Sequence, residues 1–442
     1  MSNNNKLNLL CPSLLLFSVL AVATGSANAA ELGAEMRAGY STTDNIFLTA
    51  GNEISDSIWT AGMTFTLFEE TNRMLAQIEA VADYLDYDET FDSEVIGALD
   101  LLLNYSFIEE YFIWTIQDNY GQQLTDPFSS PNPENRENIN FFTTGPTILI
   151  PMGSRAFIGL EGRYSTVRYE ESLSNNDRTS GLFQIGRRSN EETTYSLNVS
   201  TERVEFKDDA LQNDFDIHEA FISYNVDSVR NIIDIDVGYT ELDFNLGIED
   251  DVADGYLVRA SWTRVSSESN SLLLSGGSRY STQGDIFRSS QGNGREIGGT
   301  VDVNNDTTPF RNNFFYTRYD LTGERTRMSV ELDWNQDDFK YPERVAEAQD
   351  RDILSGRFFI GRDLGRTFFV NFNVTIRNRD YKYIDREDDD LVVGATLGYR
   401  FSEAFNMFVS YRHVDRESND ETENFTENRA TFGVAYIPSW GR

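Results

Sequence analysis

Large apolar and polar side chains alternate along most of this chain. In residues 366–377 every second position is apolar: Phe368, Val370, Phe372, Val374 and Ile376. From position 371 onward the alternate positions carry amides, a hydroxyl and a guanidinium: Asn371, Asn373, Thr375 and Arg377. Successive side chains of a β-strand point to opposite faces, so this stretch predicts a strand with one apolar and one polar face.

The same alternation recurs from Glu35 to the C-terminus in segments of about nine to thirteen residues. The connections between segments are alternately tight and longer, and the tight turns follow the even-numbered segments. We predict an all-β fold, an up-and-down antiparallel barrel of about twenty strands (range about 16–22), with both termini on the side of the tight turns. A Greek-key sandwich would need long crossover connections that this spacing does not provide.

The apolar faces of these strands decide the environment of the barrel. The pattern leaves no amphipathic helices and no second set of strands to cover them. A barrel of about twenty strands is too wide for side chains to fill its interior, so the apolar faces point outward. In water they would form a patch far larger than a soluble monomer tolerates, whereas in a bilayer they contact lipid and closure pairs the backbone. The sequence therefore predicts a transmembrane β-barrel with a polar lumen.

Aromatic residues cluster at both ends of the predicted strands. One set lies near the tight turns: Tyr105, Tyr224, Trp262, Tyr319 and Tyr399. A second set lies near the longer loops: Tyr84, Tyr239, Trp334 and Tyr411. These positions predict the two aromatic girdles of a membrane barrel, although strands also favour aromatic residues in general.

Three stretches interrupt the regular pattern. Gly145-Pro146 predicts a bulge or a strand end, because proline cannot donate to a β-ladder. Tyr341–Asp350 is compatible with one or two helical turns within a loop. Ser281–Phe310 is the longest connection, rich in Gly, Ser and Asn, and we expect a functional or disordered outer loop there.

The N-terminus has the features of a cleaved signal peptide. Lys6 precedes a mostly apolar run, and Ala27-Asn-Ala29 fits the cleavage pattern, so residues 1–29 would be removed and residues 30–442 would form a single barrel domain. Cys11 is the only cysteine, and its loss would leave an exported protein without disulfides. We predict export to the outer membrane of a Gram-negative cell.

The formal net charge of −35 excludes one class of partner. Without a basic patch to neutralise phosphates, nucleic acid is not an expected partner. Acidic runs fall in the predicted turns, including Arg386–Asp390 and Glu417–Glu423, and would favour cations at the mouth. Asp302–Asp306 offers hard oxygen ligands for Ca²⁺ or for ions shared with lipopolysaccharide, but it lacks EF-hand spacing and a solvated loop is the default interpretation.

A set of charged residues is predicted to face the lumen and to form the candidate binding surface. Its members are Glu79, Glu161, Arg163, Arg259, Arg318, Arg327, Glu331, Asp333, Arg357, Arg377, Arg400 and Arg412. Two roles remain open for them: charged walls that set the selectivity of a wet pore, and cross-strand ion pairs that stiffen the wall.

The sequence gives little support for an enzyme. Only His218 and His413 are present, both near the predicted outer rim, and no Ser/His/Asp grouping accompanies them. No phosphate-binding or dinucleotide glycine motif appears, so we expect no catalytic residue and no cofactor, while a metal site stays open.

Two short motifs resemble known proteins. Gly39–Phe47 resembles the opening strand of the outer-membrane β-barrel porins, and Gly145-Pro146 before an alternating strand is similar to them as well. The resemblance implies a large outer-membrane barrel with porin-like function, which in some members is associated with exopolysaccharide secretion or exosortase systems. It also implies contact with outer-membrane lipid, lipopolysaccharide and the assembly machinery. Such barrels usually end on an aromatic residue, whereas this chain ends Pro438-Ser-Trp-Gly-Arg442.

The leading hypothesis is therefore a porin-like pore or conduit that passes small solutes or assists a surface polysaccharide. A second is a non-conducting structural or adhesive barrel that binds through residues 281–310. A third, an outer-membrane hydrolase, would depend on His218 or His413.

Overall fold

The computed structural model describes residues 30–126, 128–207, 213–244, 251–267, 269–290, 300–301, 308–339 and 349–438. Within these residues, twenty long strands form the wall of one barrel. They are β1 Glu31–Thr43, β2 Asp56–Glu70, β3 Met74–Tyr87, β4 Glu94–Ile108, β5 Phe112–Gln123, β6 Glu137–Met152, β7 Ala156–Tyr169, β8 Asn176–Arg188, β9 Thr193–Phe206, β10 Phe215–Asp227, β11 Asn231–Phe244, β12 Asp251–Ser267, β13 Asn270–Ser281, β14 Phe310–Thr322, β15 Thr326–Phe339, β16 Arg351–Leu364, β17 Phe368–Tyr381, β18 Arg386–Arg400, β19 Phe405–Ser418 and β20 Phe425–Tyr436.

The sheet is closed and every wall strand is antiparallel to its neighbours. Each strand pairs with the next one in the chain, and β1 also pairs with β20, from Met36 opposite Tyr436 to Thr43 opposite Arg429. This closure pairs the edges of the first and last strands over residues Met36–Thr43 of β1. The predicted transmembrane up-and-down barrel of about twenty strands is confirmed.

The connections follow the predicted parity. Those after even-numbered strands are tight, such as 71–73 and 153–155, and those after odd-numbered strands are generally longer, such as 44–55 and 124–136. An exception is 382–385, a short connection after an odd-numbered strand. β1 begins and β20 ends on the side of the tight turns.

Apolar side chains cover the outside of the wall. Those at least 50% exposed include Trp59, Met63, Val95, Leu197, Ile222, Val237, Leu332, Leu354, Ile376, Leu397, Val409 and Phe432. The register places them on one face: Leu354 lies opposite Trp334, and Leu397 opposite Val409. The predicted girdle residues Tyr84, Tyr239 and Trp334 are also exposed on this side. An apolar surface of this extent is stable against acyl chains rather than against water.

The strands extend further toward the long loops than the apolar pattern predicted. Arg386–Asp390 was expected to be an acidic turn, but it is the first part of β18 and pairs with β17 in regular register. The prediction of a turn there is wrong, because Asp388 and Asp390 face inward and pair with arginines, which stabilises a strand that lacks apolar residues.

Gly145-Pro146 does not cause the expected bulge or strand end. β6 runs continuously from Glu137 to Met152, and its register with β7 is the same on both sides of the interruption, with Thr144 opposite Tyr164 and Thr147 opposite Glu161. Only the ladder positions at 145–146 are missing. Arg163 Nη1 donates to Pro146 O at 2.8 Å, so a side chain replaces part of the lost backbone pairing.

Some predictions fall on residues that the structure does not describe. The predicted signal peptide 1–29, the Asp302–Asp306 segment and most of Tyr341–Asp350 lie outside the described residues. Among the helices of the described part, none is long and apolar enough to cross a membrane.

Candidate channel lumen

The connection after β13 begins with a helix, α1, from Gln283 to Ser290. Thr282 and Asp285 cap its first turn. The hydroxyl and backbone N–H of Thr282 both donate to Asp285 Oδ2, at 2.8 and 3.1 Å, and the Asp285 N–H approaches Thr282 Oγ1 at 3.3 Å. Such reciprocal capping satisfies backbone groups that are otherwise unpaired at a helix start. The sequence therefore specifies a helix where the regular strand pattern stops.

Helix α1 lies inside the barrel and contacts widely separated parts of its wall. Phe287 is completely buried among Ile139, Phe141, Val167 and Tyr169 of β6 and β7. Ile286 packs against this cluster and also against Phe310 and Phe339 of β14 and β15. In a barrel of twenty strands, β6–β7 and β14–β15 are nearly opposite. Part of the predicted outer loop 281–310 therefore crosses the lumen.

Charged groups fix α1 to the wall of the lumen. Arg178 of β8 is 3% exposed, and its Nη1 lies 3.1 Å from Asp285 Oδ1 and 3.4 Å from Glu202 Oε1. Arg288 lies 3.6 Å from the same Asp285 oxygen, and both arginines stack on the ring of Phe141. Burial alone raises the pKa of Asp285, but Arg178, Arg288 and the Thr282 hydrogen bond lower it to about 2. Asp285 is therefore charged at neutral pH.

The loop between β5 and β6 also folds toward a distant part of the wall. The ring of Phe128 packs on Tyr381 of β17 at 5.3 Å, and Arg386 of β18 donates to Phe128 O at 2.6 Å. Asn132 donates to Phe47 O at 3.2 Å. Because β6 and β17 are far apart around the barrel, this second segment narrows the lumen on the side of the long loops.

Several predicted lumen residues form short networks along β7 and β12. Glu161 and Arg163 pair at 3.2 Å on β7. Arg259 of β12 pairs with Asp236 at 3.0 Å and Glu219 at 3.4 Å. The guanidinium of Arg259 also lies 4.9 Å from the centre of the Phe221 ring. These charges are close enough to stabilise one another, as the cross-strand interpretation expected.

A second network joins β14, β15 and β16. Glu331 accepts from Arg318 at 3.3 Å and from Arg357 at 3.3 Å, and Arg318 also contacts Asp320 at 2.8 Å. Asp333 accepts a hydrogen bond from Asn335 at 2.8 Å. Arg327 is exposed at the end of β15 next to the tight turn, where it is separate from this network.

The other predicted residues are distributed around the wall. Arg377 is buried on β17, Arg400 pairs with Asp363 at 2.6 Å, and Arg412 lies 3.9 Å from Glu427. Glu79 lies directly opposite Asp100 on β4. The predicted residues thus line one lumen but do not converge on a single centre.

The wall has a charge asymmetry that the sequence reading missed. Strands β2–β6 contain no lysine or arginine, and Glu79, Asp83, Glu94, Asp100 and Glu137 occupy their inward positions. Arginines concentrate on β16–β20, at Arg351, Arg357, Arg377, Arg379, Arg386, Arg400, Arg412, Arg416 and Arg429. Several are paired, including Arg416 with Asp390 at 2.6 Å and Arg351 with Asp337 at 3.1 Å. The lumen therefore has an acidic sector and an arginine-rich sector.

The two histidines do not face the lumen. His218 Nδ1 lies 2.9 Å from Thr201 Oγ1, and both residues are on the outer face with Val199 and Ala220. His413 Nδ1 lies 2.9 Å from Asn428 Oδ1 on the same outward side. Within the described residues, no group of three or more His, Cys, Asp or Glu side chains is arranged to hold a metal ion.

Comparison with known proteins agrees with the porin resemblance. Residues 357–436, from within β16 to the end of β20, match the family described as "Putative beta-barrel porin 2". No curated protein sequence matches the chain significantly. The predicted resemblance to β-barrel porins is confirmed for this segment.

The chain is also similar, at low identity, to several solved structures. The FrpB iron transporter of Neisseria meningitidis, in its F5-1 apoprotein form, is 8% identical with a TM-score of 0.48, over 95% of this chain and 83% of that one. OccK5 (OpdH) of Pseudomonas aeruginosa is 11% identical with a TM-score of 0.36, over 93% and 98% of the two chains. OccAB1 of Acinetobacter baumannii is 11% identical with a TM-score of 0.35, over 93% and 99%.

Proposed function

We propose that this porin-like barrel is a channel of the Gram-negative outer membrane that passes small polar solutes through a lumen narrowed by α1. The observation that carries the proposal is the combination of an apolar outer surface with charged residues of both signs along the lumen. Arg318, Glu331 and Arg357 illustrate the lumen side, and Leu332 and Leu354 the lipid side. A wall of this kind keeps a hydrated path within lipid.

The proposed solutes are small because two chain segments cross the lumen. Helix α1 bridges the β6–β7 and β14–β15 walls, and the loop containing Phe128 contacts β17 and β18. Their position also favours a channel over an adhesive surface built on residues 281–310, since α1 is directed into the barrel.

Reconstitution of the purified barrel in planar bilayers tests the channel. We expect discrete conductance steps and permeation of small sugars in a liposome-swelling assay, with larger oligosaccharides excluded. An inserted barrel with neither conductance nor permeation would refute the proposal. Insertion is established independently by protease protection of the reconstituted protein.

Export is tested by cell fractionation. We expect the full chain to reach the outer-membrane fraction and to lose residues 1–29. Deletion of that segment should retain the protein inside the cell. Recovery of the full chain with the inner membrane would refute the assigned location.

The association with exopolysaccharide comes from the family resemblance, and the crossing segments favour small solutes over a polymer chain. Gene deletion separates the two roles. A channel for small solutes predicts unchanged surface polysaccharide and slower solute uptake, whereas loss of polysaccharide with unchanged uptake would favour the conduit.

A further inference from the structure

A cavity of about 330 Å³ lies between α1 and the β7–β13 wall. Three arginines line it, Arg259, Arg279 and Arg288, together with the carboxylates of Glu161, Glu202, Glu219 and Asp285. The volume lies in the range of sites for small organic molecules.

The carboxylates that line this cavity already have arginine partners. The pairs are Glu161 with Arg163 at 3.2 Å, Glu202 with Arg178 at 3.4 Å, Glu219 with Arg259 at 3.4 Å, and Asp285 with Arg288 at 3.6 Å. Their negative charge is therefore largely balanced within the protein. A ligand in the cavity would therefore contact carboxylates that already pair with arginines.

Arg279 differs from the other arginines of the cavity. Its guanidinium stacks on Phe314, 5.4 Å from the ring centre, and no described carboxylate lies within ion-pair distance of it. Its buried Nε has no hydrogen-bond partner among the described residues, and neither has the buried hydroxyl of Ser281, two positions along the same inward face. Burying such donors without a partner is unfavourable, so both are poised to bind an acceptor.

We propose that this cavity binds the carboxylate of a small organic acid, held by Arg279 and Ser281. A guanidinium donates two parallel hydrogen bonds to a carboxylate, and a neighbouring hydroxyl adds a third. Leu182 and Phe221 also line the cavity and supply apolar surface for the carbon chain of the acid, which an inorganic anion would not use. The cavity thus assigns a class of solute to the proposed channel. Binding of the acid does not require conduction, and only a role of the cavity in transport rests on the proposed function.

Binding to the folded barrel in uncharged detergent tests the site without requiring conduction. Saturation-transfer NMR would use butyrate as the probe, butyramide as its neutral counterpart and inorganic phosphate as a competitor. We expect saturable butyrate binding that weakens with salt, little binding of butyramide, and poor competition by phosphate.

Two variants and a control locate the binding site. Arg279→Gln should weaken butyrate binding roughly tenfold or more, the size expected for loss of a charge-assisted hydrogen bond, and Ser281→Ala should weaken it less. Arg203→Gln removes the same charge from an outward-facing residue, 62% exposed, and should bind butyrate like the parent protein. Circular dichroism verifies folding of each protein.

The remaining outcomes refute the site, the class of ligand or the transport role. Equal binding of butyrate and butyramide, unchanged affinity in both Arg279→Gln and Ser281→Ala, or no saturable binding by the parent protein would refute it. Equal competition by phosphate would refute the organic-acid class. Butyrate binding in a protein that forms no channel would retain the site and refute only the transport role.

Discussion

Asp285 of α1 and Arg178 of β8 form an ion pair at 3.1 Å inside the barrel. The same carboxylate accepts two hydrogen bonds from Thr282, so one side chain both caps the helix and attaches it to the wall. Removal of the Asp285 carboxylate should therefore weaken both the helix cap and the attachment of α1 to the wall. Position 285 is therefore the most informative place to separate the contribution of α1 from that of the barrel.

Asp285→Asn should release α1 from the wall and increase single-channel conductance. Because Arg178 would lose a partner while buried, we also expect a loss of unfolding free energy of at most about 3 kcal/mol in urea titrations. Asp216→Asn is the control, since Asp216 pairs with exposed Arg203 on the outer face and should leave conductance unchanged. Equal conductance of parent and Asp285→Asn would contradict a constricting role for α1.

Acid should weaken the attachment of α1. The pKa of Asp285 is lowered from its ordinary value near 3.8 to about 2. Its contribution to stability is thus complete above pH 4 and is lost as the pH falls toward 2. The protection factors of the α1 amides, which compare observed exchange with the intrinsic rate at each pH, should fall across this window in the parent. The same acidification should have a smaller effect on the protection of α1 in Asp285→Asn. Identical pH profiles of the two proteins would show that another group is responsible.

Phe287→Ala should detach α1 without unfolding the barrel. The side chain is fully buried against Phe141 and its neighbours, and removal of a buried phenylalanine costs about 3–5 kcal/mol. We expect faster amide exchange confined largely to α1, with strand exchange nearly unchanged. Phe315→Ala removes an outward-facing ring, 48% exposed, and serves as the control. Uniformly faster exchange of all strands after Phe287→Ala would mean that α1 supports the wall itself.

Position 145 requires glycine because the backbone of the neighbouring strand β7 approaches it too closely for a side chain. A Cβ added there would lie 2.0 Å from Gly162 O, whereas one added at Gly162 meets no atom within 4 Å. Gly145→Ala should therefore lower the unfolding free energy by about 1–3 kcal/mol, and Gly162→Ala should change it by less than about 0.5 kcal/mol. Urea titrations in the same detergent measure the unfolding free energies of the two variants. Similar losses of unfolding free energy in both would contradict the steric explanation.

The alternation of apolar and polar residues was sufficient to predict the barrel wall but not the segments that occupy the lumen. Period-two patterning identified the strands, their parity and the inward direction of residues such as Glu331 and Arg377. It placed the ends of several strands too early, because the outer part of β18 is stabilised by ion pairs of Asp388 and Asp390 rather than by apolar contacts. The same alternation, extended beyond the apolar residues, would have found Arg379 and Arg416.

The contents of the lumen depend on contacts between residues far apart in sequence. Arg178 and Asp285 are separated by 107 positions, and Ser130 and Glu423 by 293. No local pattern reports such contacts. The Thr282–Asp285 cap was the one local signal, because Thr-x-x-Asp after a strand is typical of a helix start and does not fit a continued alternation.

The adjacent residues Asp389 and Asp390 test both the alternation and the charge of the lumen. Asp390 is buried on the inner face between Arg379 and Arg416, whereas Asp389 is exposed on the outer face and accepts from Asn378 at 3.0 Å. Asp390→Asn should shift the reversal potential in a KCl gradient toward anions, because it leaves the arginine-rich sector with one fewer carboxylate, and should destabilise the barrel by about 3 kcal/mol. Asp389→Asn removes the same charge one position away and should change neither quantity appreciably. Equal shifts in the two variants would contradict the assigned faces of β18, since the reversal potential would then follow net charge rather than position.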